Sequence, residues 1–412
     1  MPKRSRGGGE DDGGGGTFLA TYGAAAAHVE FGPAGATLYC CSFYSLAGEV
    51  VFHDQGGPEI LCNNRGVDFV QAIADVNLQH LDLYKLDVAV YPKFFPVKTR
   101  GVLSVQVTEM RCGGLVIGCT FDHRVADGHS VSNFIAAWAN MTRSNHCGDN
   151  KMASSLPSPE YLSSFLLPRK PIRPDLAMHN KYVLFEAASS DSPQAPPLVH
   201  LQSRIYKISA CQIELLQSLA GPGRTKFESF SALLFRNCSQ WTKFLDHKSM
   251  DNYFGNVLSI PFSDASAGEL KSMPLSETAD KVRKCVESAS NDFRGLVDSV
   301  ESHRPCRAMY EIFSFHPSET EDVAVVISSG QRFPISKLNF GWGCPSFVSF
   351  LSPWSSTTGL VMPMRSAGNN GDWIVSMHLF EKHLDFLEKE APHIFKPFNF
   401  SPLKKFREAS KL

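Results

Sequence analysis

The 412-residue sequence has no apolar run that approaches the roughly 18 residues needed to cross a lipid bilayer. We therefore expect a soluble protein that does not act on a membrane. The sequence also lacks an excess of either charge, since 40 basic residues stand against 41 acidic ones and the formal net charge is -1. Proteins that bind nucleic acid usually carry a basic surface for the phosphates, so this balance argues against a nucleic-acid partner.

Three short motifs are also missing, namely CxxC, HExxH and GxSxG. Without HExxH or clustered Cys and His residues we expect no metal site, and without GxSxG we expect no serine nucleophile. The eleven cysteines are odd in number and scattered, whereas a secreted disulfide framework favours paired cysteines behind a signal peptide. We predict mostly buried free thiols, with Cys344 interpreted as a packing residue, a cytoplasmic location and no bound cofactor.

Composition suggests how the chain is organised. The glycine-rich, charged stretch MPKRSRGGGEDDGGGG predicts a disordered leader over residues 1–35. The remaining chain is long for one hydrophobic core, so we predict two domains, 36–190 and 191–412. A tract rich in proline and serine, 143–203, is predicted to cross between them. Part of 340–366 is expected to pack with the first domain.

Strand and helix patterns alternate along the chain, which indicates a mixed α/β class. SVQVTEM (104–110) alternates as a half-buried strand does, and GGLVIGCTF (113–121) is continuously apolar like a central strand. The next segment, SVSNFIAAWANMT (130–142), has apolar residues at helical spacing. His123 therefore lies at a strand-to-helix turn, where side chains commonly project into a cleft.

His123 and Asp127 are four residues apart, but that spacing alone is weak evidence for a catalytic pair. Simple frequency gives about 0.7 such pairs in a chain of this composition. A second pair, His247 and Asp251, lies in a polar stretch with no strand before it and is interpreted as an accident. On this evidence His123 also fits a hydrogen-bonded histidine at the end of a strand.

Three segments in the same order resemble the motifs of the plant BAHD acyl-CoA-dependent acyltransferases. HRVADG at 123–128 resembles HxxxDG, YFGNV at 253–257 resembles the middle motif, and NFGWGCP at 339–345 resembles DFGWG. The flanking SLAGEV, CNNRGVDF, PSPEY and DWIVSMHL agree, so the similarity extends over about residues 38–400.

The resemblance implies two chloramphenicol-acetyltransferase-like domains, each a mixed β-sheet flanked by helices, joined by a long crossover loop. It also implies acyl-CoA as co-substrate, a small-molecule alcohol or amine as acceptor, and a monomer. His123 would be the general base that takes the acceptor's proton, because imidazole titrates near pH 6.5. The acceptor would then attack the thioester directly.

The same resemblance suggests roles for other residues. Asp127 would be structural and pair with an arginine, and Gly128 would permit the tight turn into the helix. Trp342 is interpreted either as an N–H donor to the oxyanion or as a buried aromatic in a bend formed with Gly341 and Gly343. For YFGNV, a packed strand at the domain junction is favoured over contact with substrate. Ser229, near the start of the helix predicted over 227–244, is a candidate contact for CoA.

Two departures from the family pattern leave an alternative open. Asn339 replaces the aspartate of DFGWG, which is expected to leave an arginine unpaired at a cost on the order of 1.5–3 kcal/mol. The family's first strand and helix have no match before FYSLAGEV (43–50), so we expect an edge strand and a helix of the first domain to be missing or replaced. The chain is then either an acyltransferase acting on a phenylpropanoid-type metabolite or a decayed relative that keeps the fold, with or without CoA binding.

Overall fold

The computed structural model describes most of the chain between residues 15 and 399. The described ranges are 15–22, 42–52, 58–85, 91–96, 101–147, 158–161, 166–173, 183–186, 201–237, 252–257, 267–302, 308–311, 324–351, 358–368 and 370–399. The boundary predicted between residues 190 and 191 lies outside them, as does much of the proline-rich tract.

The first sheet has five strands in the order β11-β1-β6-β5-β4. Its strands are β1 (Gly15–Tyr22), β4 (Asp68–Ala74), β5 (Leu103–Met110), β6 (Leu115–Asp122) and β11 (Phe347–Leu351). Neighbouring strands are antiparallel except β4 and β5, which are parallel. The late strand β11 belongs to the 340–366 segment and completes a sheet built otherwise from the first third of the chain. The central position of β6 matters most, because His123 follows it directly.

The second sheet also has five strands, in the order β10-β12-β13-β8-β14. They are β8 (Leu201–Ile208), β10 (Ala324–Ile327), β12 (Thr358–Arg365), β13 (Trp373–Phe380) and β14 (Lys396–Pro397). Only β10 and β12 run parallel. Two antiparallel pairs stand apart, β2 (Glu49–Phe52) with β3 (Pro58–Leu61) and β7 (Val183–Glu186) with β9 (Ala308–Glu311). Both large sheets are mixed, as the resemblance implied.

Helices cover these sheets. They are α1 (Tyr91–Phe94), α2 (Gly128–Cys147), α3 (Ala210–Ala220), α4 (Lys226–Asn237), α5 (Ala267–Ser272), α6 (Leu275–Ser302) and α7 (Glu381–Glu390). Apolar spacing explains α2, because Val131, Phe134, Ile135 and Trp138 are all buried in one core with the first sheet. The helices α3, α4 and α7 pack on the second sheet in the same way.

A third core joins the two sheets. Leu19, Val116 and Phe347 of the first sheet pack with Ile205 and Ile374 of the second. These residues alternate along their strands with those that face the helices, as the two-residue period of a strand requires. The two halves of the chain therefore share one continuous apolar contact, and β6 lies within it.

Three sequence predictions are wrong for the described residues. The leader predicted to be disordered contains β1, which pairs with β6 from Gly15 to Tyr22 and buries Phe18, Leu19 and Ala20. A strand is therefore present before FYSLAGEV, where the family's first strand has no match in the sequence. The segment at 252–257, predicted as a strand, is a loop with one isolated bridge between Glu160 and Tyr253.

The third wrong prediction concerns the cysteines. Described cysteines are free, but most are exposed rather than buried, since only Cys119 and Cys285 are buried among Cys62, Cys112, Cys119, Cys211, Cys285 and Cys344. Cys344, which was interpreted as a packing residue, is one of the exposed thiols. Hydropathy patterns predict which strand is buried but say little about a cysteine at its end or in a loop.

Candidate active site

The turn that follows β6 is held by a buried carboxylate. The backbone N–H of Asp122 donates to the carbonyl of Val102 at 2.8 Å, which fixes the end of the strand. The Asp122 carboxylate, almost fully buried, accepts from Nε and Nη2 of Arg124 at 3.0 and 2.7 Å and from its backbone N–H at 3.0 Å. Such a two-pronged ion pair fixes orientation as well as distance. The residue between them, His123, is thereby presented in a defined direction.

His123 is partly buried, and its ring centre lies 5.7 Å from that of Phe121. The turn places it between the end of the central strand β6 and the start of α2, as the sequence predicted. An imidazole here is close enough to solvent to exchange protons and is backed by an apolar core. This placement suits a general base.

Asp127 caps the N-terminus of α2. Its Oδ1 accepts from the backbone N–H of Ser130 at 2.8 Å, and its carbonyl accepts from the N–H of Val131 at 3.0 Å. Its Oδ2 accepts from the N–H of Val257 at 3.4 Å. Within the described residues Asp127 has no arginine partner, so that part of the prediction is not supported. A structural role fits an N-cap aspartate that interacts with backbone groups.

The YFGNV segment is bound to this helix start by further hydrogen bonds. The N–H of Asp127 donates to the carbonyl of Gly255 at 3.0 Å, and the Ser130 hydroxyl donates to the same carbonyl at 2.9 Å. The N–H of Gly255 in turn donates to the Ser130 hydroxyl at 3.1 Å. Burial raises the pKa of Tyr253, and the nearby Asp127 charge raises it further. These contacts support the packing interpretation of YFGNV. The part played by Ser130 has no direct signal in the sequence.

Gly128 is needed for a reason other than the one predicted. Its φ is not positive, so the turn into α2 does not require a glycine. A Cβ built on Gly128 would instead lie 2.9 Å from Cζ of Phe333, closer than carbon atoms pack. The ring of Phe333 therefore occupies the space over the first residue of the helix.

Asn339 organises the glycine turn of the third motif. Its Oδ1 accepts from the N–H of Gly341 at 2.9 Å and from the N–H of Gly343 at 3.1 Å. Gly341 and Gly343 have φ of 115° and 107°, which favours glycine at both positions. An amide oxygen makes both contacts as well as a carboxylate oxygen can, so the glycine turn does not depend on a negative charge at residue 339.

The aromatic residues of this motif pack against the middle of α2. Phe340 is fully buried and meets Trp138 edge-on at 4.9 Å between ring centres. Trp342 stacks on Phe340 at 5.3 Å. Trp138 lies ten residues into α2 from Gly128, which is about 15 Å along the axis. This packing accounts for Trp342 without a catalytic role, and its contact with an oxyanion stays a prediction.

Ser229 does not suit the predicted contact with CoA. Its side chain is fully buried in α4, and its hydroxyl donates to the carbonyl of Thr225 at 2.9 Å. The residues that shape this helix start are Thr225 and Glu228. The N–H of Glu228 donates to the Thr225 hydroxyl at 3.1 Å, and the N–H of Thr225 donates to the Glu228 carboxylate at 2.8 Å. The T-x-x-E spacing of this capping box was readable in the sequence.

The described residues contain no group of three or more His, Cys, Asp and Glu side chains placed to hold a metal ion. The described helices also include none that is long and apolar enough to span a membrane.

Comparisons with known proteins agree with the three motifs. A sequence model of the Transferase family matches residues 39–249 and 242–394 of this chain. The chain belongs to this family, the BAHD acyltransferases. Shikimate O-hydroxycinnamoyltransferase of Nicotiana tabacum is 27% identical over 382 residues, covering 84% of each chain. Anthranilate N-benzoyltransferase protein 2 of Dianthus caryophyllus is 23% identical over 387 residues, covering 84% of this chain and 82% of its own.

Solved structures show the same fold. Vinorine synthase superposes with a TM-score of 0.65 at 17% identity, over 94% of this chain and 92% of its own. F. graminearum TRI101, crystallised with coenzyme A and deoxynivalenol, gives a TM-score of 0.68 at 14% identity, over 92% and 95%. The two-domain BAHD fold predicted from the resemblance is therefore confirmed.

Proposed function

We propose that this BAHD acyltransferase moves an aromatic acyl group from acyl-CoA to a hydroxyl or amine of a small plant metabolite, with His123 as general base. The observation that carries the proposal is the position of His123 on a turn fixed on both sides, by the Asp122–Arg124 ion pair and by the Asp127 cap. The relatives named above transfer hydroxycinnamoyl and benzoyl groups, which supports an aromatic acyl donor. A phenylpropanoid-type acceptor, a cytoplasmic location and a monomeric state belong to the same proposal.

The chemistry proceeds in one transfer. An imidazole nitrogen of His123 accepts the proton of the acceptor O–H or N–H as that atom attacks the thioester carbonyl carbon. The carbonyl π electrons move to oxygen and give a tetrahedral oxyanion. When the carbonyl re-forms, the C–S bond breaks and the CoA thiolate leaves, taking the proton from the imidazolium. The products are the ester or amide and free CoA, and His123 returns to its neutral form.

Two sequence features suggested a decayed relative, namely Asn339 and the unmatched segment before FYSLAGEV. Asn339 keeps the glycine turn closed through two hydrogen bonds from backbone N–H groups. The strand β1 lies before FYSLAGEV in the chain and pairs with both β6 and β11 in the first sheet. The sequence features that suggested decay are thus compatible with an intact site.

The test is release of free CoA thiol from p-coumaroyl-, caffeoyl-, benzoyl- and acetyl-CoA with alcohol and amine acceptors supplied. We expect acceptor-dependent release that falls at least about 100-fold in His123→Ala, because general-base catalysis contributes that much or more. His393→Ala, which changes an exposed histidine after α7, is the matched control and should keep full activity. A folded His123→Ala protein with undiminished release would exclude His123 as the base, and a folded wild-type protein inactive across the panel would favour the decayed relative.

A further inference from the structure

A cavity lies along α2, between this helix, the YFGNV loop and the segment 331–337. Its volume is about 760 Å³, within the usual size of small-molecule sites. The helix contributes residues that recur every three or four positions, His129, Asn133, Ala136 and Asn140, so they share one face. Phe333, which packs over Gly128, lines the cavity and His123 does not, so the cavity adjoins the turn after β6 without including its histidine.

The charge of this lining has one sign. Arg332, Lys337 and Arg365 line the cavity, and none of its described lining residues is Asp or Glu. A chain with 41 acidic and 40 basic residues would place about two of each in a lining of eighteen residues. Within the described part of the chain, neither Lys337 nor Arg365 forms an ion pair with a carboxylate. A concave surface that carries like charges of this kind attracts anions.

The rest of the lining is aromatic. Phe43 and Phe254 are almost fully buried and meet edge-on at 5.2 Å between ring centres. Tyr253 and Phe333 add two partly buried rings on either side. Flat apolar walls of this kind bind a flat apolar body by edge or face contacts between rings. The cations lie at exposed positions, so a ligand with an anionic group at one end and a ring at the other satisfies both parts.

We propose that this cavity is a second ligand site, which binds a small aromatic carboxylate with its ring on Phe43 and Phe254 and its anion between Lys337 and Arg365. A charge-assisted hydrogen bond from each cation to a carboxylate oxygen would fix the orientation. The proposal does not depend on the acyl transfer, because the lining excludes His123 and the ligand need not react.

The experiment is a calorimetric titration of the full chain with benzoate and with trans-cinnamate. Lys337→Gln/Arg365→Gln should weaken the Kd by about tenfold or more, since two charge-assisted contacts are lost. Lys382→Gln, which removes an exposed cation on α7, is the matched control, and His123→Ala should also bind normally. Circular dichroism and thermal unfolding establish that each variant is folded.

Other probes separate the two parts of the site. Cyclohexanecarboxylate lacks the aromatic ring and inorganic phosphate lacks any apolar body, so both should bind more weakly than cinnamate. The proposal is overturned if no aromatic acid binds, if the double variant binds as wild type does, or if His123→Ala abolishes binding. It is also overturned if adenosine 3′,5′-bisphosphate binds more tightly than cinnamate with the same dependence on Lys337 and Arg365, because the cavity would then hold the nucleotide end of the acyl donor.

Discussion

Replacing the Asp127 carboxylate by an amide tests whether Asp127 has a structural or a catalytic role. In Asp127→Asn the side-chain oxygen still caps α2 through the Ser130 N–H, because Asn and Asp are equally good N-caps. The negative charge at the helix N-terminus and part of the 3.4 Å contact from Val257 are lost. Together these should lower the free energy of unfolding by about 0.5–1 kcal/mol.

Activity should change little in the same variant. If Asp127 only holds the turn, kcat/KM for thiol release should stay within about tenfold of wild type, whereas loss of an aspartate that orients a catalytic histidine costs about 10⁴ in serine proteases. Asp127→Ala removes the cap as well, so we expect about 2 kcal/mol lower stability and a larger fall in rate.

Asp122→Asn is the variant with which the stability of Asp127→Asn is compared. Asp122 is buried and interacts with the charge of Arg124, so its amide variant should lose about 1.5–3 kcal/mol, more than Asp127→Asn loses. Urea unfolding followed by tryptophan fluorescence measures both variants. A folded, stable Asp127→Asn protein with activity reduced by 10³ or more would refute the structural assignment of Asp127.

Three further predictions concern other parts of the structure. Trp342→Phe keeps a ring against Phe340 and should leave kcat within about threefold, while a fall of 10² or more would show that the indole N–H stabilises the oxyanion. Asn339→Ala should lower the free energy of unfolding by about 1–2 kcal/mol in urea, and Asn339→Asp should restore it. Burial alone would raise the pKa of Glu388, but hydrogen bonds from two tyrosines and an arginine lower it below 4.5. The Glu388 carboxylate stabilises the folded state fully above pH 4.5, and this stabilisation is lost as the pH falls through the lowered pKa of the folded state. Tm should therefore fall less steeply below pH 4.5 in Glu388→Gln than in wild type or Glu390→Gln.

Periodicity in the sequence was sufficient to predict much of the fold. The central strands β5 and β6 and the helix α2 lie within two residues of their predicted bounds at most ends, because each buries a regular apolar pattern. The strand β1 was missed because glycine-rich sequence surrounds it, and only the six residues TFLATY carry a strand signal. Its pairing with β6 and β11 depends on residues about 100 and 330 positions away, which local composition cannot reveal.

The candidate site was predictable as a location but not as a set of contacts. The order of the three motifs pointed to His123, and the strand-to-helix pattern placed it at a turn. The partners of each polar group depend instead on where distant loops come to lie. Gly255 meets Ser130 across 125 positions of sequence, and Phe333 meets Gly128 across about 200. For the same reason the buried hydroxyl of Ser229 could not be distinguished from an accessible one.

The His–Asp spacing of four residues follows from these contacts rather than from a direct partnership between the two side chains. The histidine lies on the turn after a central strand, and the aspartate is the residue before the first turn of a helix. Their spacing therefore reflects the length of the connection between β6 and α2. The position of the proposed base His123 therefore depends on how firmly both ends of this connection are held. Asp122 with Arg124 fixes the first end, and Asp127 with Ser130 fixes the second while also binding the YFGNV loop. In the proposed mechanism only His123 reacts, and these contacts give the aspartate and the glycine of the motif structural parts that need no contact with substrate.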